Sequence, residues 1–223
     1  MKRDINSNGY IFLYATILVV VVAALLTITA LWLQPFQDRN QKNEKRIGIL
    51  TAAGISEVNP RNAAWLFEKH CTASFLLDEN GNPTEDEHGL PVFVIDRKTS
   101  VIPMQGNGLW GPIWGYLALD ETSTVVGAVF DHQGETPGLG GEISSEKFAR
   151  QFIGKKMDTQ PIALRKNADR NSAYEVDAIS GGTMTSNGVT DMLESAYEQF
   201  KVYGLQFKEA TQTEASDTLN LKH

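Results

Sequence analysis

The chain begins with a long run of apolar positions. Every residue from 11 to 33 is uncharged, and most are Val, Leu, Ile or Ala. A helix of this length crosses the roughly 30 Å of hydrocarbon in a bilayer. Tyr10, Tyr14 and Trp32 lie near the ends of the run, as aromatic residues at a membrane interface do, and Gln34-Pro35 closes it. The charged residues 38–46 mark the exit from the membrane, and a continuation of the helix through them for a few turns is the alternative. The pattern therefore predicts one transmembrane helix over residues 11–33.

A cleaved signal peptide is the competing interpretation, because Lys2 and Arg3 precede the run. The run is too long for the apolar part of a signal peptide, and no small-x-small cleavage site follows it. Positive charges flank the run on both sides, so they do not decide its orientation. They are Lys2 and Arg3 before it, and Arg39, Lys42, Lys45 and Arg46 after it.

Beyond the apolar run, segments with the periodicity of a strand are interspersed with segments that have the periodicity of a helix. Alternation and short apolar runs between turn residues predict strands at 72–77, 90–95, 116–119, 124–130, 162–165 and 174–179. Spacings of three and four predict helices at 62–70, at 144–153, and from Ser186 to about Tyr203. The segment 106–116, rich in Gly and Trp, is predicted to be a rigid, non-repetitive loop. We therefore predict an α+β protein: a single N-terminal transmembrane helix, then one mixed α/β domain with a mainly antiparallel sheet.

A stretch of small polar residues separates the last predicted strand from the last predicted helix. It reads Ser180, Gly181, Gly182, Thr183, Met184, Thr185 and Ser186, and Ser186 is the predicted N-cap. Two glycines allow a sharp turn and a close ligand, and the N-terminus of a helix presents unpaired N–H groups with the positive end of its dipole. These features predict an anion site. An ordinary strand-to-helix connection has the same composition and remains the alternative.

Composition excludes several functions. The net charge is −7, with 20 Lys and Arg against 27 Asp and Glu, so the chain has no basic surface surplus for nucleic acid. Its single cysteine, Cys71, cannot form an internal disulfide or supply the roughly four ligands of an iron–sulfur cluster, and is predicted to be a buried structural thiol. His132 has no second His or Cys nearby, so we predict a hydrogen-bonding role and no metal site.

Three motifs together resemble the signatures of one family. Residues 180–186 are similar to the flavinylation motif Ser/Thr-Gly-Ala-Thr-x-Thr/Ser of the FMN-binding domain family, which occurs in one subunit of the sodium-translocating NADH:quinone reductase and in one subunit of the Rnf ferredoxin:NAD oxidoreductase. Segments 106–116 and 132–142 resemble two further signatures, in the family's order. Gly182 stands where the family usually has Ala; because it removes no hydroxyl, we expect it to be tolerated.

The resemblance implies a covalently bound FMN. In the family the last Thr of the motif, here Thr185, is esterified to the FMN phosphate by a flavin transferase that uses FAD and magnesium. Thr185 is then an acceptor in maturation, no residue is catalytic in turnover, and the sequence offers no evident base for self-flavinylation. Further cofactor contacts are expected from Ser180, Gly181, Gly182, Thr183, Ser186, Glu135, Thr136, Gly138, Leu139, Gly140 and Trp110.

Two of these contacts have open roles. A carboxylate repels a phosphate, so Glu135 is expected to hold its loop or to accept a hydrogen bond from a ring N–H of the flavin. Trp110 either stacks on the flavin ring or anchors its loop, whereas Trp114 is predicted to lie in the core.

The function implied by the resemblance is electron transfer from an iron–sulfur centre towards quinone. NADH oxidation and sodium conduction would belong to the partners, which are other membrane and peripheral subunits of the same respiratory complex. Segment 110–116 favours the quinone reductase branch. The alternatives are the FMN-binding subunit of the Rnf complex and a membrane-tethered binding module without redox activity.

The resemblance also implies a location in the cell inner membrane, with the soluble domain on the periplasmic side. The expected organisation is a cytoplasmic N-terminus at 1–10, the transmembrane helix at 11–33 and a juxtamembrane connector at 34–60. The FMN-binding domain is then expected at 61–210, and a polar C-terminal tail at 211–223.

Overall fold

The computed structural model describes residues 8–78 and 80–220 of the chain, so the start of the predicted cytoplasmic segment and the last three residues of the predicted tail lie outside it. Helix α1 (Asn8–Ala52) comes first, and it is the one helix among the described residues that is long and apolar enough to cross a membrane. The helix continues through Pro35 and the charged residues 38–46, so Gln34-Pro35 does not end it and the alternative of a continued helix is correct. A proline removes one N–H donor, but the Gln, Lys, Glu and Arg residues that follow are good helix formers.

The chain forms two compact units, residues 1–44 and 45–223. The second unit is built on a six-stranded antiparallel sheet with the strand order β2-β1-β3-β4-β5-β6, which confirms the predicted fold class. Its strands are β1 (Cys71–Leu77), β2 (Pro83–Thr84), β3 (Leu90–Ile95), β4 (Thr99–Asn107), β5 (Pro112–Leu119) and β6 (Val125–His132). The other elements are α2 (Ala63–His70), a 3-10 helix (Gly140–Ser144), α3 (Glu146–Arg150), the parallel strands β7 (Ala163–Arg165) and β8 (Glu175–Asp177), and α4 (Thr183–Asn220).

Most of the predicted loop at 106–116 is in fact β-structure. Strands β4 and β5 pair as far as Asn107 and Pro112, and only residues 108–111 form the turn, in which Gly108 N–H donates to the carbonyl of Gly111 at 2.8 Å. The alternation is hidden because one buried position of β5 is a glycine: a Cβ at Gly115 would lie 2.6 Å from the ring of Phe130. A strand position that must be glycine contributes no apolar side chain, so the alternation of apolar residues does not reveal it.

Helix α4 covers one face of the sheet. Its apolar stripe is buried against the main core, as the spacing predicts, through Val189, Met192, Leu193, Ala196, Tyr197 and Phe200. The helix continues to Asn220, beyond the predicted end near Tyr203. The stripe marks the part of a helix that is buried and not the part that is helical, which explains this difference.

The last turns of α1 pack on the opposite face of the sheet. Ile49 and Ala52 are buried in a second cluster with Ile95, Val101 and Ala118. The contact is close because β6 has a glycine there, Gly127, where a Cβ would overlap the carbonyl of Ala52. The short apolar segment at 47–53, which follows the charged residues 38–46, therefore docks on the domain.

Two residues predicted to be buried are only half-buried. Cys71 lies at the start of β1, and burial raises the pKa of its thiol more than the hydrogen bond to Ala73 lowers it. Trp114 lies on β5 with its neighbour Tyr116 on the face that α1 covers, and it belongs to neither core cluster. The predictions of a buried thiol and a core tryptophan are therefore wrong. Both side chains remain partly exposed to solvent.

Candidate functional site

The predicted strand, turn and helix around the polar stretch are all present. Strand β8 leads into a turn in which Gly182 N–H donates to the carbonyl of Ile179 at 3.1 Å. Gly181 has a φ of 75°, a conformation that glycine adopts at little cost. Helix α4 then begins at Thr183. The turn is therefore one that needs a glycine, as the two-glycine sequence indicates.

The predicted N-cap at Ser186 is wrong, because the N-cap lies four residues earlier, at Gly182, and the helix begins at Thr183. Ser186 N–H donates to the carbonyl of Gly182 at 2.8 Å, the first helical hydrogen bond, so Gly182 occupies the N-cap position. The hydroxyl of Ser186 instead accepts from the N–H of Ile179 at 3.0 Å and ties the turn to the helix. As a result Thr183, Met184 and Thr185 form the first turn, where backbone N–H groups lack helical acceptors.

The side chains of this first turn differ sharply in exposure. Thr183 is exposed and Met184 is 59% exposed, whereas Thr185 is only 1% exposed. The Thr185 hydroxyl donates a hydrogen bond to Glu135 Oε2. A threonine that is placed by its sequence in a polar turn is therefore held inside the protein by a carboxylate.

Glu135 connects three segments. Its Oε2 accepts from Thr185, and its Oε1 accepts from the backbone N–H of Trp110 at 2.8 Å. Its own N–H donates to Nδ1 of His132 at 3.1 Å, which gives His132 the structural hydrogen bond that the sequence predicts. The carboxylate is only 4% exposed, and each of its oxygens has a donor, as a buried charge requires.

The ionisation of Glu135 follows from these contacts. Burial by itself raises the pKa of the carboxyl. Hydrogen bonds from the Thr185 hydroxyl and from the backbone N–H groups of Trp110 and Leu109, together with the charge of His132, outweigh burial and hold the pKa below its ordinary value. Glu135 is therefore a carboxylate at neutral pH.

Two glycines leave room for this carboxylate. A Cβ at Gly108 would lie 2.5 Å from Glu135 Oε1, and a Cβ at Gly140 would overlap both Glu135 Oε2 and the Thr185 hydroxyl. The glycine-rich loops that the sequence marks as ligand-facing thus also admit the Glu135 side chain between them. No local sequence pattern indicates the contact between Glu135 and Thr185, which are 50 positions apart.

A cavity of about 350 Å³ opens above the Glu135–Thr185 pair. Its size falls within the range of small-molecule sites. Nine of the predicted cofactor contacts line it: Trp110, Glu135, Thr136, Leu139, Gly140, Gly181, Gly182, Thr183 and Thr185. Leu109 and Met184 also line it and were missed, since an apolar residue within a polar or glycine-rich turn carries no periodic signal.

The remaining three predicted contacts lie elsewhere. Gly138 and Ser180 line a larger neighbouring cleft of about 810 Å³ between α3 and β8, whose walls carry charges of both signs. Ser186 is buried and lines neither cavity. The structure thus places nine of the predicted residues around the smaller cavity and leaves these three outside its lining.

The lining of the smaller cavity fits the two ends of FMN. Its lining includes the glycine turn and the start of α4, whose backbone N–H groups suit a phosphate. Its rim carries exposed apolar side chains that suit a flat aromatic ring, with Trp110 69% exposed. They are Leu109, Trp110, Leu139 and Met184.

Known proteins with similar sequences and structures point to one family. The family described as the FMN-binding domain matches residues 108–198, which include Trp110, Glu135 and Thr185. The C subunit of the Na(+)-translocating NADH-quinone reductase, NqrC, of Pasteurella multocida is 29% identical, with 86% of this chain and 90% of that protein covered. The crystal structure of NqrC from Parabacteroides distasonis is 37% identical, has a TM-score of 0.68, and covers 76% of this chain and 96% of that chain.

The chain belongs to the NqrC family, the C subunits of the Na(+)-translocating NADH-quinone reductases. NqrC of Pseudomonas aeruginosa, which is 28% identical with 84% of this chain and 90% of that protein covered, is a further relative. Shewanella oneidensis NqrC, at 22% identity and a TM-score of 0.62 over 76% of this chain and 99% of that chain, shares the fold. The predicted family and its quinone reductase branch are confirmed, because the relatives and solved structures described here are all NqrC proteins.

Proposed function

We propose that this chain is the electron-transfer subunit NqrC of a sodium-translocating NADH-quinone reductase, an oxidoreductase complex, and that it carries FMN esterified through its phosphate to Thr185. In this role it relays electrons from an iron–sulfur centre towards quinone. One observation carries the proposal: within the FMN-binding region, Thr185 lines a cavity of about 350 Å³, a size that suits a small-molecule cofactor. The membership of the chain in the NqrC family supports the electron-transfer role.

Different residues of the cavity would bind the phosphate and the ring of FMN. The glycine turn and the first turn of α4, with the exposed hydroxyl of Thr183, are suited to the phosphate, and the apolar rim is suited to the ring. We assign Ser186 to holding the turn, because its hydroxyl oxygen already accepts from Ile179. FMN itself supplies reversible electron transfer, and the protein binds, orients and tunes it.

A covalent link suits a flavin held outside the cytoplasm, because it removes loss by dissociation. We accordingly propose that α1 anchors the chain in the inner membrane over residues 11–33, with residues 1–10 cytoplasmic. The connector at 34–60, the FMN-binding domain at 61–210 and the tail at 211–223 would then be periplasmic. The partners would be the other subunits of the complex and, during maturation, a flavin transferase that uses FAD and magnesium.

The test is flavin incorporation into the full-length chain. The chain is co-expressed with a flavin transferase, and the denatured protein is examined for ultraviolet fluorescence after gel electrophoresis. We expect a fluorescent band for the wild type and for Asn187→Ala, whose exposed side chain lies on α4 outside the cavity lining, and no fluorescence for Thr185→Ala. A Thr185→Ala protein that stays fluorescent, or a dark wild type beside a transferase active on a known acceptor, would contradict the proposal.

A further inference from the structure

We infer that Glu135 is the general base that takes the hydroxyl proton of Thr185 when FMN is attached. The inference rests on the proposed function, since it concerns the reaction that produces the covalent flavoprotein. It assigns a chemical role to a carboxylate that the sequence suggests only as a loop anchor or a contact of the flavin ring.

The geometry places the base on the reacting atom. The Thr185 hydroxyl donates to Glu135 Oε2, and both side chains line the same 350 Å³ cavity through which a phosphoryl group can reach Thr185. The N–H of Trp110 holds the other carboxylate oxygen at 2.8 Å and so fixes the orientation of the group. The two side chains and this backbone N–H therefore have the arrangement of a nucleophile, a base and a group that orients the base.

No other residue of this cavity can replace Glu135. Among the eleven described residues that line it, Glu135 is the one with an acidic or basic side chain. His132 lies behind Glu135, with Nδ1 accepting the N–H of Glu135, and does not share the cavity. An unassisted threonine hydroxyl is a weak nucleophile, so removal of its proton is the step that the protein is placed to assist.

The reaction balances as a phosphoryl transfer without any change of oxidation state. The co-reactant is a flavin adenine dinucleotide delivered by the transferase with magnesium. Thr185 Oγ forms a bond to the phosphorus on the flavin side, the bond from that phosphorus to the bridging oxygen breaks, and AMP leaves with that oxygen. The proton of Thr185 moves to Glu135 Oε2.

Proton transfer also removes a charge repulsion in the product. A carboxylate beside the new phosphodiester would be repelled by its negative charge. Once attachment has removed the Thr185 hydroxyl as a donor and added that charge, the pKa of Glu135 rises, and the protonated carboxyl can donate a hydrogen bond to a diester oxygen. The same residue thus accepts from the free hydroxyl before attachment and donates to the diester afterwards.

The experiment measures the initial rate of covalent incorporation. Full-length apoprotein is incubated with purified transferase, FAD and magnesium, and the fluorescence of the denatured chain is followed in time. Glu135→Gln keeps a hydrogen-bond acceptor of the same size but cannot take the proton, so we expect the rate to fall by about 10²-fold or more. Glu135→Asp retains a carboxylate and should recover part of that loss. Glu142→Gln, which removes an exposed carboxylate nearby on the 3-10 helix, should react like the wild type.

A third variant separates chemistry from folding. In Glu135→Ala the space between Gly108 and Gly140 is free for a small carboxylate, so added formate, but not chloride, should raise the rate. Thermal melting of each variant sets an assay temperature at which the compared proteins are folded. A Glu135→Gln rate equal to the wild type, or a loss shared equally by the Gln and Asp variants with no effect of formate, would overturn the inference. A wild type that takes up no flavin overturns the proposed function instead.

Discussion

A single buried carboxylate organises the candidate site. Glu135 accepts from Thr185 on α4 and from Trp110 in the β4–β5 turn, and its own loop follows β6. Breaking one of these hydrogen bonds leaves a buried charge partly unpaired, which costs more than the bond itself contributes. The position of Thr185 therefore depends on Glu135 as much as on the helix that carries it.

The stability contributed by Glu135 should depend on pH. Because the pKa of Glu135 is lowered in the folded protein, its contribution is present above the ordinary glutamate pKa of about 4.3 and is lost as the pH falls through the lower folded value. We expect the apoprotein to be more stable than Glu135→Gln at pH 7, with a difference that shrinks below about pH 4. Urea unfolding of the wild type and Glu135→Gln at pH 7, 5 and 3.5 measures this difference in the free energy of unfolding. Both proteins retain His132. A difference that is constant with pH would contradict it.

Gly140 should be intolerant of a side chain. A Cβ there overlaps Glu135 Oε2 and the Thr185 hydroxyl, so Gly140→Ala should cost about 1–3 kcal/mol of unfolding free energy and lower flavin incorporation. Gly134→Ala is the matched control, because the nearest atom to its Cβ is the carbonyl oxygen of Trp110 at 4.0 Å. Denaturant unfolding and in-gel fluorescence compare the two variants. Equal losses of unfolding free energy and of flavin incorporation would contradict a specific steric constraint at Gly140.

At the scale of elements, the start of α4 rests directly on the backbone of β4. A Cβ at Gly188 would overlap the carbonyl of Asn107, and a Cβ at Gly106 would lie 3.0 Å from the carbonyl oxygen of Gly188. Glycines on both elements thus allow contact of backbone with backbone. This contact sets the depth at which Thr185 sits beside Glu135.

Gly188→Ala should therefore move the helix as well as destabilise it. Alanine favours a helix over glycine by about 1 kcal/mol, but the clash with Asn107 should outweigh this and give a net loss of about 1–3 kcal/mol. The adjacent exposed substitution Asn187→Ala should leave stability and flavin incorporation near the wild type. Urea unfolding of both variants, together with their rates of incorporation, measures the effect. A Gly188→Ala protein more stable than the wild type would rule out the close contact.

The sequence predicts elements better than it predicts contacts between them. Alternation in β5 and β6 and the stripe on α4 indicate elements that the structure contains, because each pattern records burial along one element. The first residues of β5 were missed because Gly115 makes room for Phe130, so the strand shows no apolar residue there. The pair of Glu135 and Thr185 was missed because it joins a loop to the first turn of α4 through tertiary packing, which leaves no local periodicity.

At the scale of the whole molecule, α1 has two different surroundings. Its residues up to 44 belong to one compact unit and carry exposed apolar side chains, whereas Ile49, Leu50 and Ala52 are buried in the second unit. Exposed Val, Leu and Ile along several turns suit a lipid environment. The proposed anchor and the domain thus use successive parts of one helix.

Charges in the centre of the proposed anchor should release the chain from the membrane. Each arginine at the centre of a transmembrane helix costs about 2.5–3.5 kcal/mol on insertion scales, so Val21→Arg with Leu25→Arg should move the chain from the membrane pellet to the supernatant after a carbonate wash. Val21→Leu with Leu25→Val keeps the same positions apolar and should remain in the pellet. If the arginine variant stays in the pellet, α1 is not the anchor.

The most direct test of FMN attachment to Thr185 is to locate the flavin by tandem mass spectrometry. The full-length chain, co-expressed with a flavin transferase, is digested, and the peptide containing Thr185 is fragmented. We expect this peptide to carry the mass of FMN less one water, with the fragment series assigning it to Thr185, and we expect Thr185→Ala to carry none. FMN mass on a different residue, or an unmodified Thr185 peptide beside a transferase that labels a known acceptor, would contradict attachment of FMN to Thr185.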